Sequence, residues 1–326
     1  MNSVLGLGNA LVDILAKIKD DSLLDELNLP KGSMQLIDEK GVKLVYSKAG
    51  HLITDKASGG SAANTINGLA NLGVKTGFIG EIGSDEMGDF FKSDLESSNI
   101  EPFLLIGESS SGTSTVLISP DSERTMATFL GAAVEMTASD IKPEMFDGYS
   151  YFHVEGYLVQ NYELVETALK MAKEAGLTTS LDLASYNVVE DNLDFLKHLT
   201  KNYVDIIFAN EEEAKAFTGM EEYEALKEMS KYADISIVKL GKKGSLINYN
   251  GEVVKVDVIS ANSIDTTGAG DLYASGFIYG MVNNLTPEQC GKIGSVTSGN
   301  VIEVMGPKMD SDRWGAIKDK VSAIMS

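Results

Sequence analysis

The chain has a single cysteine, Cys290, so no intramolecular disulfide can form and no cysteine-based zinc cluster can be built. Its simplest reading is an inert thiol on a helix. Histidine is nearly as scarce, with three in the sequence. His51 and His153 lack neighbours that would make a metal or nucleophile motif, and His153 reads as a satisfied residue at a strand end. No apolar run approaches the roughly 18 residues needed to cross a bilayer. No basic segment followed by an apolar one opens the chain, so a cytoplasmic protein is expected.

Positive charge is also in short supply. With 27 basic and 48 acidic side chains, the formal net charge is −21, which argues against nucleic acid or an anionic membrane as partner. An anionic substrate would need a local device to overcome that repulsion, such as backbone amides, a buried arginine or a divalent metal.

A length of 326 residues with 43% hydrophobic content suffices for a substantial core, as one large α/β domain or a main domain with a smaller attachment. Short β-rich runs alternate with helical patterns. Strands are predicted at Ser3 to Gly8, Thr76 to Ile82, Ser150 to Glu155, Thr178 to Asp182, Val204 to Ala209 and Ile235 to Leu240. Between them lie patterns such as Tyr162 to Gly176, where Val165, Ala168, Leu169 and Ala172 keep helical spacing and Gly176 can cap the end. This alternation predicts βαβ units on a mostly parallel sheet flanked by helices.

Two stretches, about 11–57 and 98–131, read instead as extended, with Pro120, Asp121 and Ser122 as a hairpin turn. They are expected to pair into a small β-sheet lid over the C-terminal edge of the main sheet, where open α/β folds bind ligands. No repeat or low-complexity linker is visible, so no flexible tether is expected.

The segment DTTGAGD, Asp265 to Asp271, precedes apolar positions at helical spacing from Ala274 to Leu285, which places Gly268, Ala269 and Gly270 in a first helical turn. Amides there lack intrahelical partners and lie at the positive end of the helix dipole, so small residues leave a nest for phosphate. Asp271 is placed to take a proton from an attacking hydroxyl. Asp265 could cap the turn or hold a cation; a merely structural helix start is the alternative. A second segment, SGGSAANTINGLANLG from Ser58 to Gly73, offers Gly59 and Gly60 for close backbone approach. Ser61 and Asn64 present polar groups suited to sugar hydroxyls, or simply a glycine bend and a cap.

With ANEEEA around Asn210 to Glu213 and VKLGKKGS from Val238 to Ser245, these segments make the chain resemble the ribokinase family, the PfkB carbohydrate kinases, over essentially its full length. The resemblance implies a single domain over residues 1–326, a parallel sheet with a lid, and transfer of the γ-phosphoryl of ATP to a hydroxymethyl group of a sugar or nucleoside. By resemblance Asp271 is the general base, and Gly268, Ala269 and Gly270 form the anion hole. Asn210 and Glu213 position Mg²⁺ and phosphate through water, although NEEEAKAF alone reads as an acidic helix start. Asp13 accepts hydrogen bonds from sugar hydroxyls with Asn9 on the same rim, a turn residue in an edge strand being the alternative. Arg124 is the lid arginine that reaches the transferring phosphate, unless it is a solvated residue paired with Glu123. Asp265 matches the position that holds a monovalent cation such as K⁺ in some members.

The LGLGNALVDI stretch is not a dinucleotide fingerprint, because Leu11 occupies the third glycine position. VKLGKKGS is not a Walker A loop either. Lys239, Gly241, Gly244 and Thr267 are read as part of the ATP site, with Lys242 or Lys243 as exposed turn charges and Asn300 completing the adenine pocket. GNALVDI and PKGSMQLID look most like the adenosine kinase-like branch, so a nucleoside, adenosine first, is the expected acceptor. A free sugar and a catalytically silent binding protein are the alternatives. Met34, Leu36 and Phe129 are candidates for an apolar slot for the base, and the protein is expected to be a monomer or a homodimer through the lid.

Overall fold

The computed structural model describes residues 3–121 and 123–326. In chain order the strands are β1 Ser3–Leu7, β2 Leu11–Lys17, β3 Met34–Leu36, β4 Ile53–Gly59, β5 Lys75–Ile82, β6 Ile100–Ile106 and β7 Gly112–Ile118. They continue with β8 Arg124–Phe129, β9 Tyr151–Glu155, β10 Thr178–Asp182, β11 Ile206–Asn210, β12 Ile235–Lys239, β13 Ser245–Tyr249 and β14 Glu252–Val256.

Among the described residues these form a nine-stranded sheet, ordered β14-β13-β12-β11-β10-β9-β1-β5-β6, and a five-stranded sheet, ordered β3-β8-β7-β2-β4. The large sheet is parallel from β6 through β12 and ends in two antiparallel strands.

Its central strands are buried on both faces because helices cover both, and β1 and β11 are correspondingly rich in apolar residues. In β11, Ile207 and Ala209 enter the core on one face while Ile206 and Phe208 enter the core on the other. The predicted strands fall where expected, within two residues at either end. The predicted helix runs Tyr162–Glu174, with Gly176 just past its end at φ 81°, a conformation suited to glycine. No helix among the described residues is long and apolar enough to cross a membrane.

Two expectations for the extended stretches need correction. Residues 11–57 also contain the helices Ser22–Leu27 and Glu39–Ala49. The second starts where the Asp38 side chain accepts from the Gly41 N–H and buries Val45 and Ala49, a cap and a helical stripe outweighed in the sequence by neighbouring extended patterns. Within 98–131, β6 pairs with β5 and is the edge of the large sheet, where Pro102 is tolerated. The hairpin is present: β7 and β8 are antiparallel across residues 119–123, although Ser122 of its turn lies outside the described residues.

Candidate active site

Parallel strands end together, so their C-terminal residues share one edge of the sheet. Five adjacent strands deliver polar side chains there: Asn9 after β1, Glu155 of β9, Asp182 of β10, Asn210 of β11 and Lys239 of β12. All five line a cleft of about 1400 Å³ whose opposite wall is the small sheet.

The helix Ala269–Val282 points its N-terminus into this cleft, with Gly268 as its cap at φ 74°. The Ala269 N–H turns back to the Thr266 carbonyl (3.1 Å). Asp271 Oδ1 accepts from Ser61 Oγ (2.7 Å), Oδ2 from Asn64 Nδ2 (2.9 Å), and its carbonyl from Thr65 Oγ1 (3.1 Å). Ser61 and Asn64, expected to meet sugar hydroxyls, line the cleft and also orient Asp271. Burial raises the Asp271 carboxyl to about 6, opposed by the hydrogen bonds from Asn64 and Ser61.

On the rim, Asp13 is half-buried, and burial raises its carboxyl to about 7, opposed by Lys308 and Arg124. A side chain at Gly59 would place its Cβ 2.5 Å from that carboxylate, so only glycine admits the approach. Gly60, at φ 97°, would put a Cβ 2.4 Å from the Asn9 carbonyl. Glu155 Oε1 accepts from the Asn9 N–H (3.0 Å) and Nδ2 (2.8 Å), and Oε2 accepts from the Ala62 N–H (2.9 Å). Burial lifts the Glu155 carboxyl to about 7.

Lys239 Nζ donates to Asp182 Oδ2 (2.8 Å) and lies 3.1 Å from where a Cβ on Gly270 would stand. Burial works against the ammonium, but Asp182, Glu213 and Asp271 outweigh it and hold the Lys239 pKa above its usual range. Asn210 and Glu213 form a complete capping box: Glu213 accepts from the Asn210 N–H (2.8 Å) and Nδ2 (2.7 Å), and its own N–H reaches Asn210 Oδ1 (2.8 Å). Burial raises the Glu213 carboxyl to about 7.

Arg124 is not paired with Glu123. Its guanidinium contacts the Asp265 carboxylate and donates to Thr267 Oγ1 (3.1 Å), while Nε has no hydrogen-bond partner. Asp265 also accepts from the Thr267 N–H (3.0 Å) and the Gly306 N–H (2.6 Å), so it caps the turn and is neutralised by Arg124. Its charge is already met by Arg124, so a cation at this carboxylate would have to share or displace that partner.

Gly241 (φ 51°) and Gly244 (φ 92°) shape the turn between β12 and β13, and Lys243 is an exposed turn charge held by Glu222. Thr267, Gly241 and Gly270 line the cleft. Asn300 does not: its Nδ2 returns to the Val296 carbonyl (2.7 Å) within its own helix, so its expected place in an adenine pocket is not realised. Met34 and Leu36 line the cleft, whereas Phe129 is not among its lining residues. His153 lies inside β9, sharing a hydrogen bond with Ser180 Oγ (2.9 Å), but its Nε2 is buried without a partner, so it is neither satisfied nor at the strand end.

Sequence reasoning missed Glu155, Asp182 and Lys308. The first two carried a signal, a carboxylate as the last residue of a predicted strand; Lys308, in an irregular segment, carried none.

The fold and site can now be set beside known proteins. A family model described as pfkB family carbohydrate kinase matches residues 53–313. A crystal structure of a probable sugar kinase from Rhizobium etli superposes with a TM-score of 0.89 at 32% identity, over 99% of this chain and 98% of that one. Adenosine kinase from Sinorhizobium meliloti does so with a TM-score of 0.87, also at 32% identity, over 98% and 99%. Adenosine kinase 2 from Arabidopsis thaliana is 24% identical across 93% of this chain and 94% of its own. The helix N-terminus in the cleft, the strand-end polar row and these full-length likenesses agree, and the chain belongs to the pfkB family carbohydrate kinases, ATP-using phosphotransferases whose acceptor is an alcohol group of a sugar or nucleoside.

Proposed function

We propose that the protein transfers the γ-phosphoryl of ATP to the 5′-hydroxymethyl of a nucleoside, adenosine first. The observation that carries this reading is that Met34, Leu36, Met126, Leu130 and Met136 give apolar surface to the same cleft that Asp13 lines. Apolar surface suits a flat base, and a carboxylate in the same cleft suits the ribose diol with two hydrogen bonds.

Asp271 acts as general base. Its carboxylate accepts the hydroxyl proton as the acceptor oxygen bonds to the γ-phosphorus and the bond to the leaving ADP oxygen breaks. The dipole of the helix Ala269–Val282 and the amides at Gly268 and Gly270 counter the developing phosphoryl charge, with Ala269 supporting the turn. Lys239, which lines the cleft, supplies a side-chain cation for the nucleotide phosphates within an acidic protein, and Arg124 would supply a second on exchanging its contact with Asp265 for phosphate.

No group of three His, Cys, Asp or Glu side chains that could hold a metal occurs among the described residues. Mg²⁺ usually needs only one or two carboxylates besides water and substrate phosphate, so Glu213, whose two oxygens accept from Asn210, would meet a metal delivered with ATP through water. When bound, Mg²⁺ would neutralise phosphate charge.

A free sugar is the second reading, because the probable sugar kinase matches this chain at the same identity as the adenosine kinase. The test is ADP release with MgATP and adenosine, inosine, guanosine, cytidine, ribose, fructose or 2-keto-3-deoxygluconate, using Asp271→Asn as control. Turnover of adenosine that vanishes in the control supports the proposal. Turnover with a free sugar alone would replace it.

A further inference from the structure

Two segments carry the chain between the sheets side by side. Residues 107–111 lead from β6 of the large sheet to β7 of the small one, and residues 130–134 lead back from β8. The Ala132 N–H donates to the Ser110 carbonyl (2.9 Å). Glu135, just past the second segment, reaches across to the first and accepts from the Glu108 N–H (2.6 Å) and the Ser109 N–H (3.1 Å). Its carboxylate is thus the clasp of this hinge. Leu130, Ala133, Val134 and Met136, its neighbours in sequence, line the cleft, so a shift of the hinge moves the cleft wall.

A second carboxylate stands behind the clasp. Glu81, near the end of β5, is 8% exposed, and its Oε2 is buried with no hydrogen-bond partner. Gly107 brings the two groups together: a Cβ there would lie 3.0 Å from Glu81 Oε1 and closer still to Glu135 Oε2. We propose that Glu81 is a proton-dependent latch on this hinge: protonated, it lets Glu135 hold the crossing segments, and ionised, it repels that carboxylate and loosens them.

Two carboxylates around one backbone position repel unless a cation or a proton intervenes. The titratable groups facing Glu81 are Glu135 and Asp140, both acidic, and neither Glu81 nor Glu135 has an ion-pair partner among the described residues. Geometry decides which of the two keeps a proton. Glu135 accepts two backbone N–H groups that favour its charged form, whereas Glu81 is buried and has no donor. Accordingly burial, then Glu135, lifts the Glu81 carboxyl to about 6, while Ser109 and Glu108 hold Glu135 below its usual range.

In an open hinge Glu81 returns to its ordinary value of 4.5, so the closed hinge binds the proton more tightly. The latch is therefore firmest below that value and weakens as pH rises through about 6.

The test is hydrogen exchange at the Glu108 and Ser109 amides, compared between wild type and Glu81→Gln at the same pH so that the intrinsic rate cancels. Glutamine stands for the neutral form at every pH. Exchange should be slower in the variant, and the ratio to wild type should widen about eightfold from pH 5 to pH 7. An equal ratio at both pH values, which altered packing alone would give, would overturn the proposal. Titration of the Glu81 carboxyl carbon in the unaltered protein needs no variant to fold: a midpoint near 6 supports the latch, and one at the ordinary glutamate value refutes it.

KM for the acceptor should also fall in Glu81→Gln relative to wild type, and by more at pH 7 than at pH 5. A KM ratio that is constant with pH would overturn the link between latch and cleft. Exchange and titration need no acceptor, so a failure of the adenosine reading would be seen separately, in ADP release.

Discussion

The Ser61 hydroxyl donates a 2.7 Å hydrogen bond to Asp271, 210 residues further along the chain, and Asn64 meets the other oxygen of the same carboxylate. Two sequence motifs are thereby one device. Both hydrogen bonds favour the carboxylate form against burial, which holds the group at about 6. As a base Asp271 must be deprotonated, so kcat is expected to rise with pH through about 6 and level off above it. Asn64→Ala removes a bond that lowers the pKa, so this limb should move to higher pH. Asp271→Asn should fold normally, checked by circular dichroism, and lose about 10² to 10⁴ in kcat. A pH profile unchanged in Asn64→Ala would refute the coupling.

Lys239 and Asp182 form a buried ion pair with side chains 16% and 8% exposed. Removing one partner leaves the other charge stranded, so Lys239→Met is expected to cost about 3 to 5 kcal/mol, read from denaturant unfolding. Changing both to methionine and leucine should recover most of that stability but not activity, because Lys239 also faces the nucleotide phosphates in our reading. Equal losses in the single and double variants would show that the pair is not the relevant unit.

Gly268 caps its helix at φ 74°, with Pro307 occupying the space a side chain would need. Gly268→Ala should therefore destabilise the protein by about 1 to 2 kcal/mol and raise KM for MgATP as the nest distorts. Calorimetry and initial rates give the two effects separately. A normal KM for MgATP would exclude this turn from the nucleotide site.

The Arg124–Asp265 pair fills the place where a monovalent cation would find a carboxylate. Replacing K⁺ by tetramethylammonium at constant ionic strength should leave turnover unchanged. A strong fall on K⁺ removal would mean that the cation displaces Arg124 from Asp265.

Much of this was readable in the sequence, and the limits have physical causes. Strands buried on both faces, such as Ile206–Asn210, declare themselves by an apolar run, and DTTGAGD by small residues before an apolar helix. The bond from Ser61 to Asp271 was not legible because local spacing shows a helix start but not what the side chain meets across the fold. β6 was misassigned because an edge strand carrying Pro102 reads much like a loop-borne excursion. Asn300 sits in a helix where its polar group has a partner four residues back, and composition does not reveal such an internal bond. Lys308 was invisible since nothing local distinguishes it from a solvated lysine; only the distant Ser58 and Asp94 do.

The small sheet is woven from two separate parts of the chain. β2, β3 and β4 come from one part and β7 and β8 from the other, yet β3 pairs with β8 and β2 with β7. Taken alone, the first part leaves β3 without a neighbour. The sheet is therefore not a cassette that can be cut from one relative and grafted into another by a single splice. A change of acceptor preference that requires a new backbone there must arise in both parts together, whereas side-chain replacement on the existing frame is open one residue at a time.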